Sequence, residues 1–172
     1  MQPHDVYNRN FDVATAELDR WLPCLADVAD VDREATGAYW RVALQPHVRC
    51  GCPIELMLTR AQTCDVEIGP EGLSNQPVTD FSLYLPLLQA VVDGHVVHRR
   101  WSALATRCVL TREIVVHLAD GREWSVRRVV SAGTAATEQT ATASDHVYLP
   151  YRRAHAAVLS RPIGLAASGY AV

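Results

Sequence analysis

The sequence contains no lysine, and all 16 of its basic residues are arginine. Without an ε-amine, the chain cannot form a Schiff base or anchor pyridoxal phosphate, and P-loop or kinase phosphate sites would lack their usual cation. Long apolar runs are missing too, because the most hydrophobic stretch, residues 83–92, is about half the ~20 residues that a transmembrane helix needs. These absences exclude several enzyme classes and a membrane span.

Catalytic signatures are absent as well. The chain has no Gly-x-Gly-x-x-Gly, Gly-x-Ser-x-Gly or His-Glu-x-x-His motif. Its first ten residues contain no apolar run of the kind that a secretory signal needs. The five cysteines are an odd number in a domain of this size, which is typical of reduced thiols rather than of a disulfide framework. We therefore expect a cytoplasmic protein.

What the sequence does contain is enough apolar material for one folded domain. With 172 residues, 49% of them hydrophobic, the chain has the size and composition of a single domain with a substantial core. Residues 1–130 are predicted to form this domain. Residues 131–145, rich in Ala, Ser, Thr, Gly and Gln, are typical of a flexible linker or long loop, and residues 146–172 then form a C-terminal arm.

The periodicity of the apolar residues predicts two helices and several strands. Apolar residues at helical spacing indicate an N-terminal helix over residues 11–27, although Pro23 favours a kink or an end near Leu22. A second helix is predicted over residues 81–93, with Asp80 as its N-cap and Gly94 as its C-cap. Alternating patterns predict strands over residues 38–45, 54–59, 64–68, 73–78 and 94–102.

Residues 110–130 predict a β-hairpin whose register follows from the side-chain pattern. A three-residue loop, Ala119-Asp120-Gly121, places Leu118 opposite Arg122 and Gly121 in the left-handed region. The apolar side chains then share one face: Ile114, Val116, Leu118, Trp124 and Val126. The other face pairs opposite charges: Glu113 with Arg127 and His117 with Glu123. A two-residue loop would mix charged and apolar groups on both faces.

These elements together predict an α+β fold. We expect one mainly antiparallel sheet of about six strands, with the helix over residues 81–93 packed on a face and the N-terminal helix at an edge or on the same face. Trp124 from the hairpin and Leu88 from the helix should lie in one shared interior.

Charge is distributed unevenly along the chain. Residues 1–94 carry six arginines against fourteen acids, whereas residues 95–129 carry seven against three. A basic segment suggests contact with phosphate or another anion. The doublets Arg99-Arg100 and Arg127-Arg128, however, direct their two side chains to opposite faces of a strand, so neither doublet alone forms a patch. Nucleic-acid binding is therefore not expected.

The densest group of metal-ligating residue types is a candidate for a zinc site made of one histidine and three thiols. Its members are His47, Cys50, Cys52 and Cys64. Only one residue separates Cys50 from Cys52, which is closer than the spacing of ligand pairs in structural zinc sites, so the spacing favours ordinary core or surface thiols, with zinc binding as the alternative. A redox-active Cys50–Cys52 pair, acidified by Arg49 or His47, is a further alternative.

The C-terminal arm begins with an apolar and aromatic segment, residues 146–151, followed by two arginines. Either this segment folds back on the body, or it is a recognition arm for a protein partner or another copy of the chain. The residues that would bind such a partner are Tyr148, Leu149, Tyr151, Arg152 and Arg153.

The absence of catalytic motifs favours a non-catalytic binding or accessory module for a protein partner or a small ligand. The alternative is a metal-binding or thiol-redox protein that uses the His47, Cys50, Cys52 and Cys64 cluster, with zinc as the metal. A small enzyme that uses His and Asp or Glu in a cleft between sheet and helix is a third hypothesis.

Overall fold

The computed structural model describes residues 3–131 and 141–152. Helix α1 spans His4–Trp21 and helix α2 spans Tyr84–Val92, and short 3₁₀ helices cover Leu22–Leu25 and Phe81–Leu83. The strands are β1 Ala29–Ala35, β2 Tyr39–Pro46, β3 Ile54–Thr59, β4 Thr63–Ile68, β5 Glu71–Pro77, β6 Val96–Ala103, β7 Val109–His117, β8 Glu123–Val129 and β9 Ala141–Val147.

The strands form two antiparallel sheets. Five strands follow one another in the order β1-β2-β3-β4-β5, and four are arranged as β8-β7-β6-β9. The mixed α+β class is confirmed, whereas the prediction of a single sheet of about six strands is wrong. Alternation along the sequence identifies a strand but does not specify its hydrogen-bonded neighbour. In the sequence, the α2 segment lies between the last strand of the first sheet, β5, and the first strand of the second sheet, β6.

Strands β1 and β9 are the two that the sequence pattern did not reveal. Both lie at a sheet edge and most of their residues are exposed. An edge strand that buries little side-chain surface has no alternating apolar pattern to recognise. Residues 141–145, predicted as part of a linker or loop, therefore belong to β9, which pairs with β6 through Ala141↔Ala103 to Val147↔Val97. Residues 132–140 and the end of the predicted arm, residues 153–172, lie outside the described residues.

Helix α1 begins earlier and ends earlier than the predicted range of residues 11–27. It ends at Trp21, and Pro23 lies in the first turn of the following 3₁₀ helix, where its missing N–H is tolerated. The turns of α1 that precede the predicted start at residue 11 are held in place by Tyr7. Tyr7 is fully buried, and its hydroxyl donates a hydrogen bond to the Thr59 carbonyl oxygen at 2.7 Å. Neither α1 nor α2 combines the length and apolar character that crossing a membrane requires.

The predicted hairpin is confirmed. Leu118 and Arg122 flank the loop, Gly121 has a φ of +85°, and β7 pairs with β8 through Val116↔Trp124 and Glu113↔Arg127. Leu88 is fully buried and Trp124 packs against the same apolar core. The hairpin and helix α2 therefore share one interior, as the sequence predicted.

We expect the change Gly121→Ala to lower the free energy of unfolding by about 1 kcal/mol, because an L residue is strained at positive φ. A Cβ added there meets no atom within 4 Å, so the loss comes from backbone strain alone. Urea denaturation of the variant and the parent measures the difference, and equal midpoints would contradict the left-handed loop position.

Candidate ligand-binding cleft

A cleft of about 470 Å³ lies where the end of α1, the end of α2, the β7–β8 loop and the C-terminal segment meet. This volume is within the range of ~300–1,000 Å³ that small-molecule sites usually have. Its apolar surface comes from Trp21, Leu25, Pro86, Ala90, Val92 and Pro150. Its polar groups come from Cys24, Gln89, Asp93, His95, Asp120 and Arg152.

The C-terminal segment forms one wall of the cleft because Tyr151 anchors it. The Tyr151 side chain is 2% exposed, and its hydroxyl donates a hydrogen bond to the Cys52 carbonyl oxygen at 2.5 Å. Its backbone N–H donates to the carbonyl oxygen of Val92, the last residue of α2, at 2.8 Å. These two bonds hold Pro150 and Arg152 beside the end of the helix.

Gly94 allows this segment to pass close to the helix end. Its φ is +76°, and a Cβ placed on it would lie 2.5 Å from the backbone nitrogen of Pro150. Any other residue would be both strained and sterically blocked at this position. The glycine recognised as a C-cap in the sequence thus also permits the wall of the cleft to form.

Arg152 connects the C-terminal segment to the 3₁₀ helix on the opposite side. Its guanidinium donates to the Cys24 carbonyl oxygen at 2.6 Å and to the Asp27 carboxylate at 3.1 Å. The positive charge of Arg152 is therefore already paired with an acid. Since this ion pair is exposed, its contribution to stability is small, about 0–1 kcal/mol.

Two carboxylates of the cleft, those of Asp120 and Asp93, differ in whether they form hydrogen bonds and salt bridges with described residues. Asp120 accepts hydrogen bonds from the backbone N–H of Arg122 at 2.9 Å and from its guanidinium at 2.7 Å, and these bonds hold the pKa of Asp120 below its ordinary value. The Asp93 carboxylate makes no hydrogen bond or salt bridge with any residue in 3–131 or 141–152. Among the described residues, Asp93 is thus an unengaged carboxyl group beside an apolar surface that includes Trp21.

The structure does not bring the predicted zinc ligands together. His47 is exposed and pairs with Asp30 at 3.1 Å, and Cys50 is exposed as well. Cys52 and Cys64 are both buried. Cys64 pairs with Leu58, however, and Leu58 is six residues beyond Cys52, a separation of about 20 Å along an extended chain. Within the described ranges, no group of three or more His, Cys, Asp or Glu residues has the arrangement that a metal ion needs.

Burial disfavours the thiolate form of the two core cysteines, Cys52 and Cys64. Burial raises the pKa of Cys52 to about 12 and also raises the pKa of Cys64 above its ordinary value. A thiol with such a pKa is protonated at neutral pH and is a poor nucleophile. Cys50 and Cys52 therefore lie in very different environments, one exposed to water and the other in the core.

Three of the predicted partner-binding residues are docked on the body, whereas the side chain of a fourth, Leu149, is exposed. Tyr148 packs against the core, Tyr151 is buried, Arg152 is bound as described above, and Leu149 is 49% exposed. Arg153 lies outside the described residues.

The sequence did not identify Trp21, Asp93 or Asp120 as site residues. The only signal in the sequence was that Asp93 and Asp120 each precede a glycine at a predicted chain reversal. Acids at such positions are common for local reasons, so this signal does not indicate a site.

The fold and the cleft define a mixed α+β protein with two antiparallel sheets and a small-molecule-sized surface cleft. Comparison with protein-family models, with curated proteins and with solved structures finds no match to the chain.

Proposed function

We propose that this protein is a non-catalytic binding module whose cleft takes a positively charged group attached to an apolar body. Such a group is found on a small organic amine and on a lysine side chain of a protein partner. The observation that supports the proposal is the Asp93 carboxylate, which no described residue engages, at a cleft that also presents the Trp21 side chain.

The charges around the cleft favour a cation over an anion. Arg152 is paired with Asp27, and Asp120 is paired with Arg122, so Asp93 contributes the charge that no described residue compensates. An aromatic ring adds to the attraction, because a cation within ~6 Å of a tryptophan ring gains about 0.5–2 kcal/mol. The apolar surface of the cleft accommodates the rest of the ligand.

The described residues give less support to a metal or thiol-redox function. They contain no convergent set of metal ligands, and Cys52 has a raised pKa. The proposal is therefore limited to binding.

We expect phenethylamine to bind to the cleft, and the change Asp93→Asn to weaken this binding about fivefold or more, which corresponds to ~1 kcal/mol. The measurement is an NMR titration that follows the indole N–H signal of Trp21. The change Asp5→Asn is a suitable control. Asp5 lies in the first turn of α1, about 24 Å along the helix axis from Trp21, the last residue of that helix. This variant should bind like the parent.

Phenylpropionate, which has a similar ring and chain but a negative charge, should bind more weakly than phenethylamine. Equal binding of both compounds, or an equal loss in the Asp93 and Asp5 variants, would refute the proposed cation site. A short peptide with one lysine distinguishes the two sources of the charged group. Tighter binding of the peptide than of the amine indicates a protein partner, and the reverse indicates a small ligand.

A further inference from the structure

A second candidate site lies on the face of the four-stranded sheet that also carries the core residue Ile114. Arg100 in β6 lies opposite Arg112 in β7, which in turn lies opposite Arg128 in β8. Directly paired residues point to the same face, and neighbouring strands are about 4.8 Å apart. Three like charges thus stand in one row, an arrangement that is unfavourable unless something compensates it.

The adjacent row on the opposite face shows how the same strands avoid this repulsion. It alternates in sign across all four strands, and its members are Asp145, Arg99, Glu113 and Arg127. Arg99 lies 2.9 Å from Asp145 and 3.8 Å from Glu113. This outer row compensates its own charges. In the row of Arg100, Arg112 and Arg128, here called the inner row, β9 contributes Ser144 opposite Arg100 instead of an acid.

Glu71 compensates only part of the inner row. Its side chain is 1% exposed and lies 3.7 Å from both the Arg112 and the Arg128 guanidinium groups. Glu71 therefore acts as the acid between these two arginines. Arg100 makes no salt bridge or hydrogen bond with a residue that the structure describes. Among the described residues, no negative charge lies between Arg112 and Arg100 in this row.

Buried polar atoms without partners mark the same place. Within the described ranges, Arg112 Nε and His98 Nε2 have no hydrogen-bond partner, and neither has either carboxylate oxygen of Glu71, which lies 3.7 Å from the guanidinium groups of Arg112 and Arg128. His98 is 8% exposed, and it lies two residues before Arg100 and therefore on the same face. Leaving a buried donor unpaired costs about 1–3 kcal/mol, so a ligand that accepts hydrogen bonds from Arg112 Nε and His98 Nε2 would be favoured.

The groups that the strand pairing places around His98 also act on its protonation. Burial and then the nearby charge of Arg100 lower the pKa of His98, while Glu71 opposes this shift and Arg112 and His146 add to it. His98 is therefore neutral at pH 7, and its imidazole can donate one hydrogen bond to a ligand.

We propose that Arg100 and Arg112, with His98 and Ser144 beside them, bind the phosphate group of a small phosphorylated ligand. The phosphate dianion takes the position in the inner row that an acid occupies in the outer row. Guanidinium groups match phosphate oxygens with paired N–H donors, and each carries about five donors. The site is independent of the amine cleft, because it uses none of the residues that line that cleft.

The test is a titration of the full chain with inorganic phosphate, followed by NMR and performed at constant ionic strength. We expect saturable binding, and the change Arg100→Gln should weaken it about fivefold or more. Arg100 is exposed and makes no salt bridge with a described residue, so this variant should fold. The control is Arg127→Gln, which removes an equal charge from the opposite face of the same sheet and should change the affinity less than about twofold.

Several results would overturn the proposal. These are equal weakening by the two variants, which indicates general charge attraction, and the absence of saturation at 50 mM phosphate. Acetate binding as tightly as phosphate would contradict the assignment to a phosphate group. Tighter binding of a ten-nucleotide single-stranded DNA than of phosphate would contradict the assignment to a small ligand.

Discussion

Replacing Gly94 with alanine is expected to lower the free energy of unfolding by about 3 kcal/mol. Positive φ costs an L residue about 1–2 kcal/mol, and overpacking adds about 1–3 kcal/mol. The added Cβ would lie 2.5 Å from the Pro150 nitrogen and 2.8 Å from the Leu149 carbonyl carbon, which are backbone atoms that no side-chain rotation can move. The C-terminal segment must therefore shift away from the end of α2.

Gly121→Ala is the matched control for this prediction. The φ of Gly121 is +85°, similar to the +76° of Gly94, but its surroundings are open. The difference between the two variants in urea denaturation therefore measures the close approach of the C-terminal segment. Faster hydrogen exchange of the Tyr151 amide in the Gly94 variant alone would identify the affected bond to Val92. Equal losses of stability would mean that the contact with Pro150 is absent in solution.

The change Tyr151→Ala is expected to lower the free energy of unfolding by about 3–5 kcal/mol, as is usual when a buried aromatic side chain is removed. It deletes a fully packed ring and leaves the Cys52 carbonyl oxygen without its donor. Amine binding at the cleft should weaken in parallel, because Pro150 and Arg152 lose their anchor. Denaturation and the phenethylamine titration measure the two effects.

Tyr151→Phe separates packing from hydrogen bonding. Burial raises the pKa of the Tyr151 phenol above its ordinary value, so the hydroxyl remains a donor throughout the neutral range. Removing only this hydroxyl should cost about 1–2 kcal/mol. A loss as large as that of the alanine variant would show that the hydrogen bond, rather than the ring, holds the segment in place.

Much of the secondary structure could be predicted from the sequence, because burial imposes a pattern on it. The hairpin is the clearest example, since only one register places Trp124 and the aliphatic residues of β7 on the same face. Strand β1, with the sequence ADVDREA, exposes most of its side chains and carries no such pattern. It forms because β2 offers it a hydrogen-bonding edge, with pairs from Ala29↔Pro46 to Ala35↔Trp40, and that edge exists only in the folded chain.

The candidate sites could be predicted only in their residue types. The sequence indicated an excess of arginine in residues 95–129 and correctly assigned the members of each doublet to opposite faces. It also grouped four potential zinc ligands that are close along the chain, whereas the strand pairing places Cys52 and Cys64 far apart. Proximity along the chain was therefore a poor guide to proximity in space.

The amino-acid sequence by itself determined which faces are apolar, where the chain turns at Gly94 and Gly121, and which chemistry is impossible without lysine. Only the tertiary structure decided that Asp93 and Trp21 line the same cleft and that Arg100 pairs with Arg112 across neighbouring strands. The physical reason is that periodicity and turn preference act over a few residues, whereas sheet pairing and the docking of Tyr151 join residues that are distant along the chain.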